Sequence, residues 1–170
     1  MIKAILACDA VGGVGKDGKL PWPANKKDLS HFKKVTDGHT VVMGSATWNS
    51  DMPTPLPNRN NVVVTRNPDF EAPGAEILTG DIKEGLTKLA QSNTVFVIGG
   101  AKLFSSVIDD ISILYLTRIA GNYDCDTFID LGVLEKEFVR TSSVEVDDKT
   151  TIETYFARNL LNDIYLSAKF

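Results

Sequence analysis

The chain has 170 residues, 43% hydrophobic and 24% charged, with 18 Lys and Arg against 22 Asp and Glu for a net charge of −4. That length and composition suit one globular domain with a sizeable core and exclude collagen-like or wholly disordered chains. A net negative surface argues against nucleic acid as a partner, and apolar runs of about a dozen residues are too short to span a bilayer.

Ile2 to Cys8 reads as a buried strand, followed by the glycine-rich stretch Gly12 to Gly18 and the turn-forming Leu20-Pro21-Trp22-Pro23. Residues 9 to 25 therefore form a long ordered loop, a type of segment that tends to be functional. Asn25 is placed to cap a helix running to about Asp37, with Leu29, Phe32 and Val35 on one face and Gly38 as its stop. Thr40 to Met43, Asn61 to Thr65, Thr94 to Ile98 and Ser112 to Ile119 read as strands, the first three continuously apolar as expected of strands covered on both faces. Helices are predicted over Ala46 to Ser50, over Ile82 to Gln91 behind an Asp81/Glu84 capping box, and over Lys102 to Ile108. Phe138 to Val146 and Thr151 to Ala157 flank Asp147-Asp148-Lys149-Thr150 as an antiparallel hairpin. The expected fold is α/β: a single domain over 1–159, with a mostly parallel central sheet, helices on both faces and an antiparallel C-terminal hairpin. Residues 160–170 form a tail that no pattern assigns. Cys8 and Cys125 form no CxxC pair, and the apolar run from Ala4 is too short for the core of a signal peptide, so a cytoplasmic location is expected.

Gly13-Val14-Gly15-Lys16-Asp17-Gly18 matches the GxGxxG spacing. That fingerprint needs a helix opening at the third glycine, and Lys19-Leu20-Pro21-Trp22-Pro23 cannot open one. The glycines instead suit a loop that moves over a ligand. His31 and His39 lack partners at metal-ligand spacing, so no metal is expected, and no nucleophile motif such as GxSxG occurs. Asp28 admits two readings: a first-turn acid closing a capping box, or a carboxyl beside the apolar face, partly desolvated and with a raised pKa. Gly99-Gly100 follows a buried strand and precedes a helix, where it serves either as an ordinary turn or as a diphosphate site; Gly44-Ser45 stands in the same relation to its own strand. Thr65-Arg66 ends another central strand and could recognise phosphate. Arg59, beyond a segment stiffened by three prolines, could clamp a carboxylate; an exposed surface Arg is the default for both arginines.

In order along the chain, Ala7, Gly15, Leu20-Pro21-Trp22, Asp28-Leu29 with Phe32-Lys33, Val42-Met43-Gly44 with Thr47-Trp48, Leu56-Pro57 with Arg59, Val64-Thr65-Arg66, Ile98-Gly99-Gly100, Tyr115 to Ile119 and Asp126-Thr127-Phe128 resemble the dihydrofolate reductase family over residues 1 to about 159. The resemblance implies a monomeric, NADPH-dependent enzyme that reduces 7,8-dihydrofolate to tetrahydrofolate. It implies that Asp28 promotes protonation of the pterin ring nitrogen through water ordered by Trp22, that Thr117 supports Asp28, and that Leu20 tips a lid. Ile5, Ala7, Leu29, Phe32, Lys33, Leu56, Ile98 and Thr117 would line the substrate cleft, and Arg59 would take the glutamate carboxylate. Ala7, Val14, Gly15, Leu20, Ile98 and Thr127 would contact the cofactor, while Gly44, Ser45, Ala46, Thr47, Gly99, Gly100, Ala101, Lys102 and Leu103 would hold its diphosphate. Thr65 and Arg66 would select the ribose phosphate. Ser45 departs from the family's usual Arg or Lys, Phe104 from a common Tyr, the segment Asn49 to Thr54 is one residue longer, and His31 sits at a variable substrate-side position. A pyrimidine reductase of the riboflavin pathway would have no call for Asp28 and Arg59 together, and a non-catalytic folate or dinucleotide carrier would have little use for the lid. Residues 1–66 carry nine basic and five acidic side chains, so a local positive field coexists with the negative total.

Overall fold

In a strand covered on both sides, neighbouring apolar residues feed opposite layers. The computed structural model, which describes residues 1–169, shows this along each central strand. Ala4, Val42, Val62, Val97, Leu114 and Leu116 enter one buried cluster, while Ile5, Val41, Met43, Val63 and Phe96 enter the other.

The elements in chain order are β1 (Ile2–Cys8), β2 (Gly13–Gly15), α1 (Lys26–Thr36), β3 (Thr40–Gly44), α2 (Ser45–Trp48), β4 (Asn60–Val64), β5 (Ala75–Leu78), α3 (Ile82–Ala90), β6 (Val95–Gly99), α4 (Ala101–Ser106), a single 3-10 turn at Ile108–Asp110, β7 (Ile113–Ile119), β8 (Thr127–Phe128), α5 (Leu131–Glu137), β9 (Phe138–Asp147), β10 (Thr150–Ala157) and α6 (Arg158–Ala168). Eight strands form one sheet in the order β5-β4-β3-β6-β1-β7-β10-β9. The run from β5 to β7 is parallel, and β10 pairs antiparallel with β7 and with β9. Phe32 and Val35 of α1 and Trp48 of α2 pack on one face. Leu86 of α3, Leu103 and Phe104 of α4, and Leu134 of α5 pack on the other.

The fold class expected from the sequence is the one observed, with local corrections. Residues 9–25 are not one irregular loop: β2 pairs with β8, 112 residues away along the chain from Gly15 to Thr127. Glycine-rich β2 has no strand propensity of its own, so only this pairing makes it a strand. The short edge strand β5 and the helix α5, capped by the Asp130 side chain on the Val133 N–H (3.1 Å), lie in segments without an assignment above. Residues 160–168 are helical, as α6 runs directly off β10 with Ile164, Tyr165 and Leu166 about half exposed. Leu29 does not pack with Phe32 and Val35; it is 50% exposed at the top of α1.

β1 leaves the sheet toward α1 on one face, and β6 leaves toward α4 on the other. These adjacent strands therefore diverge at their carboxyl ends, where open α/β sheets bind ligands. Ala7 of β1 and Ile98 and Gly99 of β6 lie at that crevice.

Candidate active site

Asn25 caps α1: its Oδ1 accepts the Asp28 backbone N–H at 3.0 Å. No hydrogen bond joins the Asp28 carboxylate back to Asn25, so the capping box does not form, and the carboxylate is left facing the cleft wall. Burial pushes the Asp28 carboxyl above the usual range, opposed by the Thr117 hydroxyl and by His31. Thr117, 1% exposed on β7 opposite Ala7, has an Oγ1 without a hydrogen-bond partner inside the 3.5 Å limit. The two groups are therefore neighbours in the field of the site without a closed hydrogen bond between them. Burial likewise lowers the basicity of His31, which stacks edge-on with Tyr115 at 6.2 Å between ring centroids.

Below Asp28 on the same face lie Phe32, Ile5 and Ile98, with Leu56 buried at 5% exposure. Leu56 is held by Asn61, whose Oδ1 accepts from the Leu56 N–H (2.9 Å) and whose Nδ2 donates to the Leu56 carbonyl (3.0 Å). Arg59 Nε donates to the Pro57 carbonyl (2.8 Å) and Nη1 to Thr36 Oγ1 (3.1 Å). These bonds set the guanidinium carbon 6.0 Å from the Phe32 ring centroid, at the cleft rather than in bulk water. Lys33 is exposed beside it.

The segment from Asp9 to Pro23, the expected lid, is more ordered than a glycine-rich loop suggests. Lys16 and Lys19 exchange both backbone hydrogen bonds (2.9 and 3.0 Å) around Asp17-Gly18, whose φ values are 51° and 75°. This is the primed hairpin turn that Asp-Gly favours, a signal present in the sequence. Asp126 clasps the lid, accepting the Asp17 N–H on Oδ2 (2.9 Å) while its own N–H donates to the Gly15 carbonyl (3.0 Å). Asp9, fully buried at the lid's root, accepts N–H bonds from Val11, Gly13 and Tyr123 at 2.8–3.0 Å. Burial acts to raise its carboxyl, but those backbone donors prevail and hold it below the usual range. Leu20 is not at the tip, which is Asp17-Gly18, but just past the Lys16–Lys19 turn; it is 57% exposed, whereas Trp22 is buried edge-on against Tyr123, 6.0 Å between centroids.

At the cofactor-type edge, β3–α2 and β6–α4 converge. A Cβ on Gly99 or Gly100 would stand 3.4 or 3.8 Å from Thr47 Oγ1, and nothing lies within 4 Å of the corresponding position at Gly44. Gly44 and Gly100 are the N-caps of α2 and α4, and neither supplies a side-chain acceptor to the first-turn N–H groups. Ala101 and Leu103 turn into the core, so only their backbone is free to meet a ligand; Ala46 and Lys102 are exposed and Ser45 is half-buried. Further along the edge, Thr65 accepts the Asn67 N–H (3.1 Å) and Arg66 is exposed. Val14 packs on the core and Thr127 is exposed on β8. Among the described residues, no cluster of three or more His, Cys, Asp or Glu could hold a metal ion, and no helix is long and apolar enough to cross a membrane.

Sequence reasoning missed Tyr123 behind Trp22, the bond from Asn25 to Thr150, and the β2–β8 pairing. Each depends on residues brought together from opposite ends of the chain.

An acid set beside an apolar wall, next to the diverging ends of a parallel sheet, places the molecule among α/β enzymes with a ligand crevice at the strand ends. The family model for dihydrofolate reductase matches residues 1–160. The dihydrofolate reductase of Bacillus subtilis is 40% identical over 126 residues, covering 74% of this chain and 73% of that protein. That of Staphylococcus aureus is 36% identical over 157 residues, covering 91% and 94%. A solved structure of dihydrofolate reductase from Enterococcus faecalis, complexed with NADP(H) and RAB-propyl, superposes with a TM-score of 0.81 at 36% identity, covering 93% of this chain and 96% of that one. The chain belongs to the dihydrofolate reductase family and is an enzyme of that class.

Proposed function

We propose that this protein reduces 7,8-dihydrofolate to 5,6,7,8-tetrahydrofolate at the expense of NADPH. The observation that carries the mechanism is the half-buried carboxyl of Asp28, raised above its usual range on the wall of a cleft that Arg59 closes at the far end. The glycine edge fits the cofactor. Gly44 leaves open space, Gly99 and Gly100 abut Thr47 without side chains of their own, and two helix starts offer N–H groups that no cap side chain occupies. Gly44, Ser45, Ala46, Thr47 and the Gly99 to Leu103 backbone would hold the diphosphate, with Thr65 and Arg66 at the ribose phosphate.

When bound, NADPH supplies the hydride that adds to the pterin imine carbon. Asp28 binds the amino-pyrimidine edge and supports delivery of a proton, through water, to the adjacent nitrogen, so that the C=N bond becomes CH–NH. Protonation makes that carbon a better hydride acceptor, and a carboxyl with a raised pKa remains a proton source at higher pH than an ordinary one. Thr117 backs Asp28, and Trp22 orders the water. Ile5, Ala7, Leu29, Phe32, Leu56 and Ile98 pack on the substrate, with Lys33 at the mouth and Arg59 on the glutamate carboxylate. The lid, with Val14, Gly15 and Leu20 and with Thr127 beside it, gates the nicotinamide and excludes water rather than doing chemistry. Every group comes from one chain, so a monomer suffices.

The test is the loss of NADPH absorbance on addition of dihydrofolate, and no oxidation between acidic and neutral pH would sink the reading. Arg66→Ala is expected to reduce the preference for NADPH over NADH by roughly tenfold, the worth of one charge-assisted phosphate contact. An unchanged ratio of kcat/KM values would remove Arg66 from that role.

A further inference from the structure

We propose that Thr150, at the far end of the chain, is a positioning residue for Asp28 and acts through Asn25. This rests on the proposed role of Asp28 as the acid of the reaction.

One amide does two jobs at the start of α1. A backbone N–H can only donate, so the Asn25 oxygen faces the Asp28 N–H (3.0 Å) and its NH2 group faces outward, donating to Thr150 Oγ1 at 2.7 Å. Ser, Thr or Asp would satisfy the helix start equally well. Asn places the two roles on separate atoms, Oδ1 toward the helix and Nδ2 toward Thr150, whereas Ser or Thr would have to accept and donate through one oxygen close to the backbone. Thr150 is 1% exposed and Asn25 half-buried, so the bond is partly shielded from competing water.

The anchor is itself rigid. Thr150 pairs with Ile119 of β7, and the Ala120 N–H donates to the Lys149 carbonyl at 2.8 Å. The Asp147 carboxylate accepts the Lys149 N–H (2.9 Å), and it is held below the usual range by that N–H first and by the Thr150 hydroxyl second. The Thr150 oxygen accepts from Asn25 at 2.7 Å. Two residues before Ile119, the same strand carries Thr117, the other neighbour of Asp28. Thr117 and the anchor of Asn25 therefore lie on the paired strands β7 and β10, and the C-terminal hairpin bears on the position of the acid. The titratable and charged groups around this unit are His31 on α1, Lys26 and Lys27 at the start of α1, Asp147, Asp148 and Lys149 on the hairpin turn, and Tyr123.

Without the bond to Thr150, Asn25 still caps α1, but its side chain and the first turn are free to shift toward solvent. A better hydrated Asp28 carboxyl loses part of the burial that raises it.

Asn25→Ser keeps a favoured cap yet is too short to reach Thr150, and Thr150→Val removes the hydroxyl at nearly constant volume. In the purified full-length protein, each is expected to lower kcat roughly three- to tenfold at neutral pH, the cost of a small misplacement of a catalytic group. The KM for NADPH should stay unchanged, and the pH limb of kcat should move to lower pH. The double variant should be no worse than Asn25→Ser alone, and Thr150→Ser should return kcat to within about twofold of wild type by the same positional argument. A wild-type kcat and pH profile in both single variants overturns the proposal, as does a lowered melting temperature with kcat and pH profile untouched. Asp28→Asn is measured in parallel. If it retains wild-type turnover, the reading of the acid fails and this inference with it; if it loses turnover while Asn25→Ser and Thr150→Val do not, only this inference fails.

Discussion

Replacing Asp28 with Asn is expected to slow turnover by on the order of 10²-fold or more at neutral pH, the usual contribution of a positioned proton donor. The deficit should narrow as pH falls, because solvent then protonates the substrate without help. The acidic-to-neutral limb of the wild-type profile, set by the raised Asp28 carboxyl, should be absent from the variant. Stability should move the other way. Burial raises this carboxyl above its ordinary value of 3.8, so the folded state binds the proton more tightly than the unfolded chain does. The benefit is fully present below the ordinary value and is lost as pH rises through the folded-state value. Asn carries no charge to desolvate, so the variant should melt at or above the wild-type temperature near pH 7 and match it below about pH 3.8, where both side chains are neutral. Such an exchange of stability for activity is common where a site holds a group in an unfavourable setting. Near-wild-type turnover at neutral pH would return Asp28 to a purely structural place in the first turn of α1.

Glu153→Ala is expected to cost about 3 kcal/mol of unfolding free energy, the low end for breaking a buried ion pair. Glu153 on β10 has a side chain only 5% exposed, yet it serves three partners. Arg140 Nη1 donates to Oε2 at 2.8 Å, while the Tyr155 hydroxyl (3.0 Å) and Arg118 Nη1 (3.5 Å) donate to Oε1. Burial, and then the neighbouring Glu153, push the Tyr155 phenol up to about 12. Without the carboxylate, the half-buried Arg118 loses its ion-pair partner while its buried Nε already has none. Arg140 is 57% exposed and can turn to water, which is why the low end of the range applies. Arg118 Nη2 also reaches the Ala10 carbonyl (3.4 Å), so the loss should loosen the root of the lid as well. Urea denaturation of the two proteins measures the effect. A loss under about 1 kcal/mol would show that the cluster contributes no more than an exposed pair.

The sequence carried the periodic part of the fold well. Runs such as Val41 to Met43 and Val95 to Ile98 are apolar throughout because both faces of the sheet are covered, and that alone argues for central parallel strands. Asn25 and Asp81 were legible as caps because capping is a local matter of one side chain and an N–H three residues on, and both bonds are present at 3.0 Å. β5 and α5 went unassigned because four and seven residues, at an edge and around Gly132, give too short a pattern to stand out. The Asp17-Gly18 turn carries a sequence signature of its own, which overlaps the GxGxxG spacing around it.

By itself the sequence determined the α/β fold with helices on both faces of the sheet, the helix that carries Asp28, the glycines at the ends of β3 and β6, and the motif order that marks the family. These follow from local preferences and periodic burial, which act over a few residues. Only the tertiary structure decided whether Asp28 is a capping acid or a desolvated one, that Asp126 clasps the lid, and that Thr150 stands behind Asn25. Those outcomes depend on contacts spanning about a hundred residues of chain, and no spacing in the sequence encodes a distance that folding alone brings down to 3 Å.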